Sequence, residues 1–184
     1  MIKMADVNEP IAKVLISERE IEKRIYEIAK QIDDDYAGKT PLILGVLNGS
    51  FIFVADLVRA LGIHASICFV QASSYGTGTT SKGTVEINRV KGFDPEGQDI
   101  IIVEDIVDTG RTLSKLRDYL YENGAKSVEI CTFLDKPARR LVDITAKYVG
   151  FEIPDEFVVG YGLDYAYKYR QYPFVGVLKP EYCE

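Results

Sequence analysis

Long apolar runs are missing from this 184-residue chain. The longest are broken by charge, as Phe51 to Val58 is by Asp56. The opening Met1-Ile2-Lys3-Met4-Ala5-Asp6 holds no apolar stretch of the kind a secretory leader needs. Neither a membrane span nor a signal peptide is expected. Cysteine is scarce, and Cys68, Cys131 and Cys183 form an odd set without metal-ligand spacing. They suit a reducing cytosol, so a cytoplasmic location is expected. Cys68 and Cys131 fall inside apolar runs and read as core thiols, Cys183 as an exposed one. The single histidine, His64, reads as a surface or packing residue. Positive charge is also short: 22 Lys and Arg stand against 28 Asp and Glu, for a net charge of −6. A phosphate backbone needs a clustered positive surface, so nucleic acid is not expected as the main partner. Small phosphorylated ligands remain open, because backbone N–H groups and a bound metal act locally. Internal repeats and interdomain linkers are absent too. With a hydrophobic fraction of 47%, the expectation is one domain over residues 1–184 with a sizeable core.

What is present is concentrated between Ile100 and Leu113. Ile100-Ile101-Ile102-Val103 reads as a buried strand. Two adjacent acids follow, Glu104 and Asp105, then Ile106 and Val107, then Asp108-Thr109-Gly110-Arg111-Thr112 opening an amphipathic helix. A loop between a parallel strand and a helix N-terminus is where α/β proteins bind anions. Gly110 permits a tight turn, and Thr109 and Thr112 add hydroxyl donors beside the free N–H groups of the first turn. The two acids upstream cannot bind phosphate but suit sugar hydroxyls or hydrated Mg²⁺. The element therefore describes a site for a ribose 5-phosphate. It is not a Walker A loop, since Gly-x-x-x-x-Gly-Lys-Ser/Thr is absent, nor a dinucleotide fingerprint, since Gly-x-Gly-x-x-Gly does not follow the strand.

Around this element the pattern alternates. Ser17-Glu18-Arg19-Glu20 is a capping box, followed by Ile21, Ile25, Ile28 and Ile32 at helical spacing. Asp33-Asp34-Asp35 reads as a solvated turn that ends this helix. Pro41 to Leu47 reads as a strand buried on both faces, with Asn48-Gly49-Ser50 turning into a helix whose apolar positions are Phe51, Val54, Leu57, Val58 and Leu61. Ile67 to Val70 is the next strand. Gln71 to Gly83 is small, polar and glycine-rich, the composition of a long functional or disordered loop. Thr84 to Val90 alternates like a half-exposed strand. After the central element come a helix from Leu113 to Glu122 and a strand from Val128 to Leu134. This order predicts an α/β fold with a central parallel sheet.

The segment Val103 to Leu113 resembles the phosphoribosyl-pyrophosphate (PRPP) motif of type I phosphoribosyltransferases. Four more segments are most similar to the hypoxanthine-guanine members: Gly45 to Phe51, Ser74-Tyr75-Gly76, Leu134-Asp135-Lys136, and Phe151 to Arg170. The resemblance implies a parallel sheet flanked by helices, with a small hood from the N- and C-terminal segments and a flexible lid loop. It implies transfer of a phosphoribosyl group from PRPP to a 6-oxopurine, with Mg²⁺ as cofactor, by a homodimer or homotetramer. By resemblance, Glu104 and Asp105 hold the ribose hydroxyls directly or through Mg²⁺, and Asp108 is the general base or acid. Asp108 is expected to be partly desolvated beside Val107. Asp108, Thr109, Gly110, Arg111 and Thr112 bind the 5′-phosphate, with Arg111 either contributing or facing solvent. Leu47, Asn48 and Gly49 form the pyrophosphate loop, often with a non-proline cis peptide, here between Leu47 and Asn48. Relatives carry Lys or Arg where this chain has Asn48. Arg170 contacts pyrophosphate, Lys136 donates to the purine O6, Phe157 stacks on the ring, and Val158 offers its backbone to the ring edge. Asp164 closes the purine site and helps hold a second Mg²⁺. Ser74 and Tyr75 belong to the lid. A PRPP-sensing regulator on the same fold would need an added nucleic-acid-binding domain or a basic face. Enzymes for adenine are disfavoured by Lys136, a donor facing a donor, while xanthine stays open.

Overall fold

The computed structural model describes residues 9–74, 85–89 and 93–183, with 72–74 and 85–89 described by backbone alone. Along the chain the elements are β1 (Ile11–Ile16), α1 (Glu18–Asp35), β2 (Leu42–Leu47), α2 (Phe51–Ala60), β3 (Ser66–Ser74), β4 (Val85–Arg89), β5 (Asp99–Val107), α3 (Arg111–Glu122), β6 (Ser127–Asp135), β7 (Tyr148–Glu152), β8 (Val158–Val159) and β9 (Val175–Leu178). A sheet of six strands has the order β4-β3-β2-β5-β6-β7. Five of them are parallel, and β4 is the antiparallel edge on β3. A second sheet, β1-β9-β8, joins the two ends of the chain as the hood.

The period-2 alternation of β5 decides how the layers pack. Ile101 and Val103 face α1 and α2, together with Ile43 and Phe133. Ile100 and Ile102 face the opposite side, where α3 supplies Leu113, Leu116 and Leu120. Each of these leucines is 3% exposed or less, a burial of about 1.5–3 kcal/mol apiece before entropic costs. α1 starts where its capping box predicts: Ser17 accepts from the Glu20 N–H while the Glu20 carboxylate accepts from the Ser17 N–H. Ile21, Ile25, Ile28 and Ile32 are all buried.

The connections matter most for function. After β2 the chain leaves for α2 on one face, and after the adjacent β5 it leaves for α3 on the other. Two neighbouring parallel strands whose connections diverge open a crevice at their C-terminal ends, the usual ligand site of an open α/β sheet.

Several sequence expectations need correction. β5 does not stop at Val103 but runs to Val107, because Ile106 and Val107 pair with Leu134 and Asp135 of β6. The acids therefore stand within the strand's last turn of pleat, not in the loop. β3 continues through Gln71 to Ser74, paired with β4, so the start of the supposed loop is strand. The remainder of that loop, including Tyr75, lies outside the described residues, as does the side chain of Ser74. α3 begins at Arg111, two residues earlier than the apolar periodicity indicates. Phe51 is 43% exposed instead of joining the α2 stripe, which buries Phe53, Val54 and Leu57. Cys68 is only half-buried, whereas Cys131 is in the core and Cys183 is exposed. Asp33 to Asp35 still belong to α1, and two of them are tied to the fold. Asp33 accepts from the Gly62 and Ile63 N–H groups. Asp35 accepts from the Tyr148 hydroxyl at 2.7 Å and pairs with Lys147 at 2.9 Å, which holds its carboxyl below the usual range.

Candidate active site

The crevice is a cavity of about 320 Å³. One wall is the end of β2 and the turn after it, from Val46 to Gly49. The floor is the end of β5 and the start of α3: Glu104 to Gly110, Thr112 and Leu113. Asp164 and Arg170, from the hood, form the opposite rim.

Gly49 is pressed against the floor. A Cβ there would overlap the Asp105 carboxylate, so this position tolerates no side chain without displacing an acid of the site. The Leu47-Asn48 peptide is cis, where the resemblance placed it. Ser50 follows, fully buried, its hydroxyl donating to the Val46 carbonyl at 2.6 Å. This bond ties the turn back to the end of β2.

Glu104 and Asp105 are half-buried neighbours. Burial, and then the adjacent Asp105 carboxylate, push the Glu104 carboxyl well above the usual range. Two adjacent half-buried acids repel each other as carboxylates. Donor hydroxyls or a cation would relieve that repulsion. Beyond them, α3 offers its first turn: its first helical bond is Ser114 N–H to Gly110 O at 2.9 Å, so the N–H groups before it point toward the crevice end. Thr109 and Thr112 line the same space.

Asp108 lines the cavity with its side chain 42% exposed, partly shielded from solvent beside buried Val107. Its carboxylate is held by Arg139, whose Nε donates at 2.9 Å. Arg111 is exposed and does not line the cavity. It is the first residue of α3, and the inward positions of that turn belong to Thr112 and Leu113.

Asp164 accepts from the Tyr167 N–H at 2.8 Å and pairs with Arg170 at 2.7 Å. The Arg170 guanidinium also donates to the Gly162 carbonyl, and the Gly162 N–H returns to the Arg170 carbonyl at 3.0 Å. Four non-glycine residues of this hairpin, Tyr161, Ala166, Tyr167 and Tyr169, have positive φ. Such residues persist only where surrounding contacts hold them. Asp164 lines the same cavity as Glu104 and Asp105 but does not join them in one ligand cluster: among the described residues, no three acidic, His or Cys side chains converge as a metal cage.

Lys136, Phe157 and Val158 do not line the cavity. The Lys136 side chain is 12% exposed; its ammonium donates to the Glu156 carbonyl at 2.8 Å and pairs with Asp155 at 3.3 Å. The residues just before Phe157 thus meet Lys136 directly. Phe157 is 56% exposed, with its ring edge-to-face against Tyr165 at 5.6 Å. Val158 is buried in β8.

Residues 15–166 match the model of the phosphoribosyl transferase domain. The chain belongs to the phosphoribosyltransferase family, among its hypoxanthine-guanine members. It is 51% identical over 171 residues to the hypoxanthine-guanine phosphoribosyltransferase of Streptococcus agalactiae, covering 93% of this chain and 95% of that one. It is 48% identical over 175 residues to the bifunctional protein TilS/HprT of Listeria monocytogenes, of whose length it spans 27%. The crystal structure of a hypoxanthine phosphoribosyltransferase from Staphylococcus aureus superposes with a TM-score of 0.90 at 44% identity, covering 97% of this chain and 99% of that one.

The crevice brings the turn after β2, the acid pair and the start of α3 together, with Arg111 outside it. Sequence reading missed the residues that brace them. Arg140 donates to the Asp108 carbonyl at 3.0 Å and pairs with Asp135. The Lys136 N–H donates to the Val107 carbonyl at 3.0 Å, and the Leu141 N–H to the Thr109 carbonyl at 3.1 Å. The available signal was the adjacency of Arg139-Arg140 to the end of β6, the strand beside β5. No described helix is long and apolar enough to cross a membrane.

Proposed function

We infer that the protein transfers the 5-phosphoribosyl group of PRPP to hypoxanthine or guanine, giving IMP or GMP and pyrophosphate. One observation carries this reading. A single crevice at the ends of β2 and β5 brings together an acid pair, a hydroxyl-lined helix N-terminus and the Leu47-Asn48-Gly49 turn, with the Lys136 N–H bonded to the Val107 carbonyl of its floor.

The roles follow from position. The helix N-terminus with Thr109 and Thr112 binds the 5′-phosphate. Glu104 and Asp105 orient the ribose, and their charge favours the oxocarbenium-like state of glycosyl transfer. Asn48, Gly49 and Arg170 hold the departing pyrophosphate, which leaves with the electrons of its bond to C1 while a ring nitrogen of the base bonds to that carbon. Asp108 accepts the proton that the base releases. Lys136 donates to the purine O6, and Phe157 covers the ring.

The residues fit Mg²⁺. A pair of carboxylates that belongs to no all-protein cage among the described residues suits an ion that keeps several waters and shares substrate oxygens. Glu104 and Asp105 would hold one ion at the ribose, and Asp164 a second at the pyrophosphate. When bound, Mg²⁺ neutralises charge on the phosphate oxygens. The reading includes a homodimer or homotetramer, supported by the exposed Phe51 and Ile67 side chains, and a cytoplasmic location, supported by three free thiols.

The test is product formation. With PRPP, Mg²⁺ and hypoxanthine or guanine, nucleotide and pyrophosphate should appear in equal amounts. Absence of nucleotide with both bases overturns the reading.

A further inference from the structure

Lys136 caps a single 3₁₀ turn, Pro137–Arg139, in which the Arg139 N–H donates to the Lys136 carbonyl at 3.0 Å. Side chains three apart on such a turn lie one above the other. Lys136 and Arg139 accordingly meet the same acid: Asp155 pairs through Oδ1 with the Lys136 ammonium and through Oδ2 with the Arg139 guanidinium, both at 3.3 Å. Arg139 then reaches across to Asp108, with Nε 2.9 Å from Oδ1 and Nη2 3.5 Å from Oδ2. Among the described residues, no other group hydrogen-bonds the Asp108 carboxylate. That side chain is 42% exposed, so the Arg139 contact is a principal restraint on its orientation.

We propose that Arg139 is a positioning residue for the transfer reaction: it clamps one edge of the Asp108 carboxylate and, through Asp155, locks it in register with Lys136. A carboxylate has about four acceptor sites, so one edge can be held while the other faces the base. The guanidinium is suited to the task because it is a planar fork and stays charged, so it never competes for the proton. The group that binds the exocyclic oxygen and the group that takes the ring proton then sit at fixed separation. The two ion pairs of Arg139 are half-exposed and contribute little to stability. Their value lies in orientation, to which a proton transfer is sensitive.

This proposal rests on the transferase reading, and the experiment separates the two. Single-turnover nucleotide formation from PRPP and hypoxanthine is measured for wild type, Arg139→Gln, Arg139→Lys, Asp155→Asn, Asp108→Asn and the double variant Arg139→Gln/Asp108→Asn, with Tm alongside. Arg139→Gln should lower the transfer rate by about ten- to a hundredfold while KM for PRPP stays within about twofold and Tm within about 2 °C. Arg139→Lys should recover part of the loss, since one ammonium can meet one of the two acids, and Asp155→Asn should show a smaller loss of the same kind. In the Asp108→Asn background, Arg139→Gln should add less than about a further twofold. A merely structural role predicts losses that multiply, and that outcome overturns the proposal, as does a transfer rate unchanged by Arg139→Gln. If Arg139→Gln does not fold, the same criteria apply to Arg139→Lys and Asp155→Asn. A wild type that forms no nucleotide overturns the reading and the proposal together.

Discussion

Gly49→Ala puts one methyl group where the turn after β2 touches the acid pair. The added Cβ overlaps the Asp105 carboxylate, so carboxylate or turn must retreat by roughly 1.5–2 Å to restore van der Waals separation. Both movements damage the same function. If Asp105 swings away, one ligand of the ribose is lost; if the turn retreats, the pyrophosphate donors move with it. Misplacement by about 1 Å costs on the order of a hundredfold in a positioned reaction, so kcat/KM for PRPP should fall about a hundredfold. Gly49 is not at positive φ, so the cost to folding comes from the overlap, about 1–3 kcal/mol for an overpacked site, partly offset by about 0.4–1 kcal/mol from the more restricted unfolded chain. The signature is therefore a loss of PRPP use far larger than the modest fall in Tm accounts for. Initial rates over a PRPP series, with thermal unfolding on the same preparation, measure both. A folded Gly49→Ala protein whose kcat/KM for PRPP stays within about threefold of wild type would refute the close packing of the turn on Asp105 as a functional feature.

Three further outcomes follow from the site. Asp108→Asn should lower the single-turnover rate by about 10²–10⁴-fold; a near-normal rate would remove Asp108 as proton acceptor. Glu104→Gln should uncouple stability from activity. Because the folded protein holds the Glu104 carboxyl well above its usual range, the stability this group contributes is present at low pH and is lost as pH rises through the raised value. The glutamine variant, measured without divalent cation, should thus unfold at a higher temperature than wild type at about pH 8, with the gain shrinking toward about pH 4, while PRPP use falls. A variant less stable than wild type at both pH values would contradict this. Tyr75→Ala, on the Ser74-Tyr75 motif, should weaken binding of transition-state mimics more than binding of nucleotide product, and equal loss of both would count against a lid role.

What the sequence disclosed, and what it withheld, divides by range. The apolar run of Ile100 to Val103, the capping box at Ser17 and the isoleucine stripe of α1 depend on neighbours within a few residues, and all were legible. The end of β5 was not, because Ile106 and Val107 are strand only through their pairing with Leu134 and Asp135. β3 likewise runs on through the hydroxyl-rich Ser73 and Ser74 because β4 is there to receive it. In the site, motif residues were legible as a group, and the fold places Asn48, Gly49, Glu104, Asp105, Asp108, Thr109, Thr112, Asp164 and Arg170 around one cavity. Arg111 was ambiguous since composition cannot say which way the first residue of a helix faces. Arg139 and Arg140 carried no motif. Their significance comes from β6 lying beside β5, which brings residues about thirty apart in sequence to either end of Asp108.

On this reading the crevice and the Lys136 segment together make a 6-oxopurine transferase. The most direct measurement is the ratio of kcat/KM for hypoxanthine to that for adenine, in wild type and in Lys136→Ala, with PRPP and Mg²⁺ present. A site built on a buried donor should reject a base whose exocyclic group is also a donor, at a cost of about 1–3 kcal/mol or more, so the wild-type ratio should exceed about tenfold to a hundredfold. Lys136→Ala should collapse that ratio chiefly by losing hypoxanthine. Comparable turnover of both bases by wild type, or a ratio untouched by Lys136→Ala, would contradict the account.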